Sequence, residues 1–274
     1  ELQKQTGLSE LKLDLGDGVS MTLAPVPAGK FVMGDVHGFP DEFPDAAVSI
    51  DQPFYIGQME VTNKQYAQFD PTHDSAYMDG RGKDRYTRGT PVNGPDQPVV
   101  RISWREAMAF CQWLSQKTRV ECSLPTEAQW EWACRAGSAT PWLFGESCEK
   151  AQNVGNIADS ALRGWGWGRV SNYSDGAMFS MPGGRYQPNA WGIHDLVGNV
   201  AEWTLTQYRA YPYVDGDGRN DCKADGPRVV RGGSWNDTFR FCRSASRWRY
   251  LPCQPVYNVG FRIVCTPAKV AATR

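Results

Sequence analysis

From Val19 to Gly34 the chain reads VSMTLAPVPAGKFVMG, two short alternations of apolar and polar residues broken at Pro27-Ala28-Gly29. Alternation at period two predicts half-buried strands, so this segment reads as strand, turn and strand, an entry hairpin. A further strand is predicted from Pro53 to Val61, followed at once by Thr62-Asn63-Lys64-Gln65. Thr62 and Gln65 stand in the spacing that satisfies orphan amides reciprocally at a helix start, which predicts a short helix to about Phe69. Ser103 to Glu106 repeats the signal and opens a helix with Ala107, Phe110, Cys111 and Leu114 on one buried face. Thr126 to Gln129 opens another, with Trp130, Ala133 and Cys134 facing inward and Gly137 placed to end it. Residues 70–98 carry no periodic segment and read as a long surface excursion. Beyond Gly137 only two strands are predicted, Arg228–Arg231 and Val259–Val264.

Composition adds that the core is aromatic and the surface rich in turns. Eleven each of Trp, Tyr and Phe supply large apolar surfaces, while 28 Gly and 18 Pro imply many turns. The 274 residues give a net charge of −1 from 29 basic and 30 acidic side chains, so no global field draws in nucleic acid. No apolar run approaches the roughly 20 residues that span a bilayer. Eight cysteines, none in CxxC spacing, favour disulfides over zinc and so an oxidising compartment. With no initiator Met and no signal-peptide core at Glu1-Leu2-Gln3-Lys4, the expectation is a trimmed chain that is secreted, periplasmic or cell-surface.

Four motifs then fall in one order: PVPAGKFVMG (25–34), SLPTEAQWEWACRAG (123–137), PNAWGIHDLVGNVAEW (188–203) and VVRGGSW…NVGFR (229–262). Together they cover most of the chain and closely resemble the formylglycine-generating enzyme, or sulfatase-modifying factor, family. The resemblance implies a loop-rich α+β domain of C-type-lectin-like fold spanning 19–267, with 1–18 an extension and 268–274 a tail. It also implies bound calcium and, in active members, copper-dependent oxidation of a sulfatase cysteine to formylglycine. Carried over residue by residue, one calcium site maps to Asp195, Gly198, Val200 and Glu202, and the other to Asn156, Ile157, Asp175 and Ala177. Carboxylates mixed with backbone carbonyls are the oxygen donors that calcium takes.

Two departures bear on catalysis. Active members read GGSxxC with a second Cys five residues on, a thiolate pair suited to copper(I). This chain has Gly232-Gly233-Ser234-Trp235-Asn236-Asp237, leaving only Cys242 at the second position and Ser234 beside it as candidate catalytic residues. The place usually held by Trp in the GNxxEW segment is Ala201. The family's helix cysteine pairs with one near the AAR-like segment, which implies a Cys134–Cys242 disulfide if the partner slips two residues along its strand. The same slip implies Cys111–Cys265. Cys122, Cys148, Cys222 and Cys253 stay unassigned.

Between GGS and GFR lie Trp235, Phe239, Phe241, Trp248, Arg249, Tyr250 and Tyr257, where the family builds its substrate groove. Aromatics and Arg are what binding hot spots use, and with Asp237 they make a candidate binding surface. His37, His73 and His194 share no metal or hydrolase spacing, and Asp215 to Asp221 fails as an EF-hand because Asn220 stands where Gly is needed. The expectation is a monomeric, calcium-stabilised binding or maturation module that takes a peptide, protein or glycan. The competing expectation is a copper-dependent oxidase rebuilt on Cys242.

Overall fold

The computed structural model describes residues 6–78, 84–85, 89–142, 145, 154–165 and 174–267. The expected long excursion is only partly within these, and Cys148 lies outside them.

Strands β1 (Leu11–Gly16), β2 (Val19–Val26), β3 (Gly29–Met33), β4 (Ala46–Ile50) and β5 (Phe54–Gly57) come first. Helix α1 (Asn63–Tyr66) follows, then the short strands β6 (Tyr77–Met78), β7 (Asp84–Arg85) and β8 (Thr90–Pro91), which form a small sheet inside the stretch expected to be loop. Helix α2 (Trp104–Thr118), β9 (Cys122–Ser123) and helix α3 (Glu127–Arg135) come next, and the chain closes with β10 (Ala201–Gln207), β11 (Arg228–Arg231), β12 (Trp248–Tyr250), β13 (Val259–Gly260) and β14 (Val264–Cys265). A five-stranded sheet runs β1-β2-β5-β14-β9, and a four-stranded sheet runs β12-β11-β10-β13. Among the described residues no helix is long and apolar enough to cross a membrane.

All three capping boxes form. The Thr62, Ser103 and Thr126 hydroxyls each accept an amide three residues on, and Gln65, Glu106 and Gln129 return the bond. Helix α3 ends with Ala136 in the left-handed region, where Gly137 also sits at φ +86°.

Three expectations need correction. The stretch from Val19 to Met33 is not a hairpin: β2 pairs with β1 and β5, whereas β3 pairs with β4 in a separate two-stranded sheet. Between them the Pro27 carbonyl accepts the Trp132 indole N–H at 2.8 Å, and a Cβ on Gly29 would fall 2.7 Å from that ring, so the indole parts the two strands. The single strand expected over 259–264 is two, because Arg262 turns inward between them and the chain passes from one sheet to the other. Lastly, the expected extension contains β1, whose Leu13 and Leu15 are buried in the main core, so packing begins before residue 19.

The cysteines also pair off differently. Cys265 is the direct cross-strand partner of Cys122, with the sulfurs 2.8 Å apart, and Cys111 lies beside this pair in the same core. A two-residue slip does keep the strand face, but it brings Cys265 into register with β9, a strand absent from the sequence reading. Cys134 and Cys242 fall in separate core clusters, one sulfur against the Leu196 carbonyl at 4.0 Å and the other against that of Asp237 at 3.9 Å.

Candidate functional site

The GNVAEW turn and the residues before β10 meet the 154–165 segment at the back of the four-stranded sheet. Asn156 and Gly198 form a parallel bridge, and a Cβ on Gly198 would fall 2.0 Å from the Asn156 carbonyl oxygen, so only glycine allows the approach. The two expected calcium sets are therefore neighbours.

In the first set Asp195 is buried and its Oδ2 accepts the Gly184 amide at 2.7 Å. Burial holds its carboxyl above the ordinary carboxylate range. Glu202, the other carboxylate of this set, is engaged within the protein. Both of its oxygens are taken, Oε1 by Arg262 Nη2 at 2.7 Å and Oε2 by Arg262 Nε and Trp130 Nε1, each at 2.7 Å. The Val200 side chain lies wholly in the core, so only backbone oxygens of Gly198 and Val200 remain as donors.

The second set converges. Asp175 accepts the Ile157 amide at 2.9 Å on Oδ2 and the Ala177 amide at 2.8 Å on Oδ1, while its own amide donates to buried Asp159 at 2.5 Å. Burial, with the Asp159 charge adding to it, pushes the Asp175 carboxyl up to about 6.

Two residues missed in the sequence tie these sets together. Glu60 is buried; its Oε1 accepts Asn199 Nδ2 at 3.1 Å and its Oε2 has no hydrogen-bond partner. Desolvation first, then the charge of Asp195, holds its carboxyl well above the ordinary range. Asn199, at φ +59°, also accepts from Asn156 Nδ2 at 3.2 Å, and Asn156 Oδ1 is a second buried oxygen without a partner. An acidic residue between Met59 and Val61 in the predicted strand was the available signal for Glu60. Among the described residues no three His, Cys, Asp or Glu side chains already converge as a metal centre. What exists is two orphaned oxygens amid buried carboxylates, a donor set that suits a hard cation completed by carbonyls and water.

At the place of the copper thiolates the fit fails. Asp237 Oδ2 accepts the Ser234 amide at 2.9 Å and its hydroxyl at 2.7 Å, and that hydroxyl also accepts Asn258 Nδ2 at 2.8 Å. Cys242 is fully buried, and desolvation, with the Asp237 charge behind it, pushes its thiol well above the ordinary range. The backbone at Gly233 presses so closely that a Cβ there would lie 2.5 Å from Cys242 Sγ. A single buried thiol, its sulfur 3.9 Å from the Asp237 backbone carbonyl and with a carboxylate in place of a second thiolate, is a poor donor set for copper(I). Ala201, where active members place Trp, is packed in the main core.

The expected binding surface divides. Trp235 is 1% exposed and is core, edge-on to Phe179 at 4.9 Å, so it leaves the surface set. Phe239 is stacked on Trp142 at 4.2 Å and packs against the cluster that holds Cys242. Asn236 Nδ2 donates to the Tyr257 hydroxyl at 2.7 Å. Phe241, Trp248, Arg249 and Tyr250 line an open cleft of about 530 Å³, and Trp248 and Tyr250 also line a hollow of about 110 Å³ with Asp237 and Tyr257.

This loop-rich architecture, with few helices and small sheets crossed by long connections, is a C-type-lectin-like α+β domain. The chain belongs to the sulfatase-modifying factor family, the "Sulfatase-modifying factor enzyme 1-like domain" matching residues 20–267. It is 30% identical to the formylglycine-generating enzyme of Mus musculus over 88% of this chain and 74% of that protein. It is 28% identical to the inactive C-alpha-formylglycine-generating enzyme 2 of Bos taurus over 93% of this chain and 91% of that protein. Among solved structures, PvdO from Pseudomonas aeruginosa superposes with a TM-score of 0.76 and 26% identity, covering 94% of this chain and 98% of that one.

Proposed function

We propose that this protein is a calcium-stabilised binding or maturation module of its family that has lost copper-dependent oxidation, and that it engages its partner through the open aromatic and arginine face within residues 235–257. The observation that carries this is Asp237, a carboxylate held by Ser234 where a copper thiolate would stand. Similarity to a mammalian paralogue called inactive agrees with it. The cysteine content supports a secreted, periplasmic or cell-surface setting.

The test is incubation with copper(I), oxygen and a sulfatase-type Cys-x-Pro-x-Arg peptide, with the peptide mass followed. No conversion to formylglycine is expected, and no copper(I) binding that competes with a thiolate chelator. Turnover that disappears in Cys242→Ser would establish the oxidase instead.

Calcium is proposed at the Glu60, Asp195 and Asn156, Asp175 sets, with Glu60 Oε2 and Asn156 Oδ1 as the oxygens awaiting it. Ionised, Glu60, Asp195 and Glu202 carry three negative charges against one positive charge on Arg262, a net −2 that a divalent cation neutralises. A ligand bound only to the folded state adds about 2.7 kcal/mol at a hundredfold excess over Kd. The pH dependence has a definite sign. Without the ion, Glu60, Asp175 and Asp195 all bind protons more tightly folded than unfolded, so folding takes up protons and stability falls as pH rises through this range. A bound cation replaces the protons. Chelation should therefore lower the melting temperature clearly near neutral pH and much less near about pH 5, where protons already neutralise the cluster. An equal effect at both would count against these carboxylates as the site.

A further inference from the structure

Among the described residues strand β12 is the outer edge of the four-stranded sheet, with β11 its only neighbour there. Which of its backbone groups face outward follows from β11. The Val229 carbonyl accepts Thr204 Oγ1 at 3.0 Å and the Pro227 carbonyl accepts the Tyr208 amide at 2.8 Å, both from β10 or the residue just after it. Pro227 and Val229 thus turn toward β10, and by alternation Arg228 and Val230 turn toward β12, where they face Tyr250 and Trp248. Arg249, opposite Val229, is left with its backbone N–H and C=O both directed away from the sheet.

The open cleft follows this edge, lined by the whole run Ser246–Tyr250 and walled by Phe39, Tyr208 and Phe241. Phe39 and Phe241 are stacked at 5.1 Å, and Phe241 meets exposed Trp248 at 5.4 Å, an apolar floor. Arg249 lies over the Tyr208 ring at 4.4 Å and Arg240 over Phe39 at 4.5 Å. Both guanidiniums are exposed and neither makes an ion pair among the described residues, while the nearby Asp41 carboxylate accepts the Tyr208 hydroxyl at 2.7 Å. The edge therefore offers unpaired main-chain groups, an aromatic floor and two guanidiniums against the single Asp41 carboxylate, a net positive charge.

We infer that an extended acidic peptide segment binds here as an added strand, its main chain bonded to the N–H and C=O of Arg249, a carboxylate against Arg249 or Arg240, and an apolar side chain on Phe39, Phe241 and Trp248. Main-chain pairing supplies affinity in such additions, and alternate side chains supply specificity. The inference rests on the binding-module reading and fixes its partner class. It lies across Trp248 and Tyr250 from Asp237, so it owes nothing to the copper position.

The probe is a phage-displayed library of random linear dodecapeptides panned on the whole protein, with the enriched peptide then synthesised. Acidic and apolar residues in alternation are expected. Arg249→Ala should weaken binding about tenfold by removing the charge, and Arg249→Pro by about tenfold more, since it also removes the outward N–H. Proline is tolerated on an edge strand where the N–H faces solvent, so the melting temperature of Arg249→Pro should match that of Arg249→Ala. Independently of that variant, N-methylation along the peptide should abolish binding at the one residue paired with Arg249 and be tolerated at the residues on either side of it. Equal affinities for Arg249→Ala and Arg249→Pro in the folded state, or loss of binding on N-methylation at adjacent peptide residues, would overturn strand addition. Should no peptide enrich while a glycan array yields a ligand lost in Trp248→Ala, the peptide inference falls and the binding module stands. If neither library nor array yields a ligand, both fall.

Discussion

Arg262→Met should destabilise the protein by about 3–5 kcal/mol, the usual cost of stripping one partner from a buried ion pair. Arg262 is fully buried; its fork holds Glu202 through two 2.7 Å bonds, and its remaining donors reach the Gly57 carbonyl at 2.9 Å and the His194 carbonyl at 3.0 Å. Methionine fills much of the volume yet leaves Glu202, Glu60 and Asp195 without their cation. Arg262→Lys keeps the charge but cannot span Glu202 and two carbonyls at once, so it should fall between wild type and Met. Glu60 and Asp195 already hold their protons more tightly than ordinary carboxyls, so acidification should recover part of the loss in Arg262→Met. Urea denaturation at two pH values measures all three. A cost under about 1 kcal/mol for Arg262→Met would mean the cluster is neutralised some other way.

Oxidation of the natively folded protein with glutathione disulfide should join Cys122 to Cys265 and raise stability by about 3–5 kcal/mol, the range for closing a very long loop. The cysteines are 143 positions apart in sequence, directly opposite in the β9/β14 register, and their sulfurs are 2.8 Å apart. Glu121 accepts the Thr266 amide at 3.1 Å, whereas the Cys122 amide donates to Ser115 Oγ at 2.9 Å, so 122 and 265 form the closer, non-hydrogen-bonded kind of pair. The hydrogen bond from Cys265 draws the Cys122 thiol down, favouring the thiolate that attacks the oxidant. Two thiol protons are lost and glutathione disulfide takes the electron pair. Peptide mapping under non-reducing conditions reads the linkage, and a Cys111–Cys265 peptide as the major product would refute the assignment.

The helices were legible in the sequence because each begins with side chains that cap its own amides, a local signal that tertiary context does not alter. Strand identity along residues 19–33 and 259–265 was only half legible. Period two announces a strand but not its partner: along 19–33 the break is set by a distant side chain, Trp132, and along 259–265 by Arg262 of the segment itself, turned inward to a distant Glu202. The site followed the same division. The structure brings Asp175 to the amides of Ile157 and Ala177, and Gly198 beside Asn156; of these only the Asp175–Ala177 contact is local in sequence. Glu202 proved to be engaged by an arginine 60 residues away, and Glu60 belonged to no motif at all. Trp235 could not be told from a surface aromatic, since burial is set by Phe179 and Tyr257 packing over it.

The path of residues 259–265 also bears on how the chain is made. This segment supplies the parallel rung on β10 and the strand seated between β5 and β9, so each of the two larger sheets lacks a member until it arrives. On a translating ribosome, the two larger sheets, begun at Leu11, must wait partly assembled until residue 265 has cleared the exit tunnel. Contacts so distant in sequence also make closure slow. Throughout synthesis the half-built sheets expose open strand edges, the state in which nascent chains most need a chaperone.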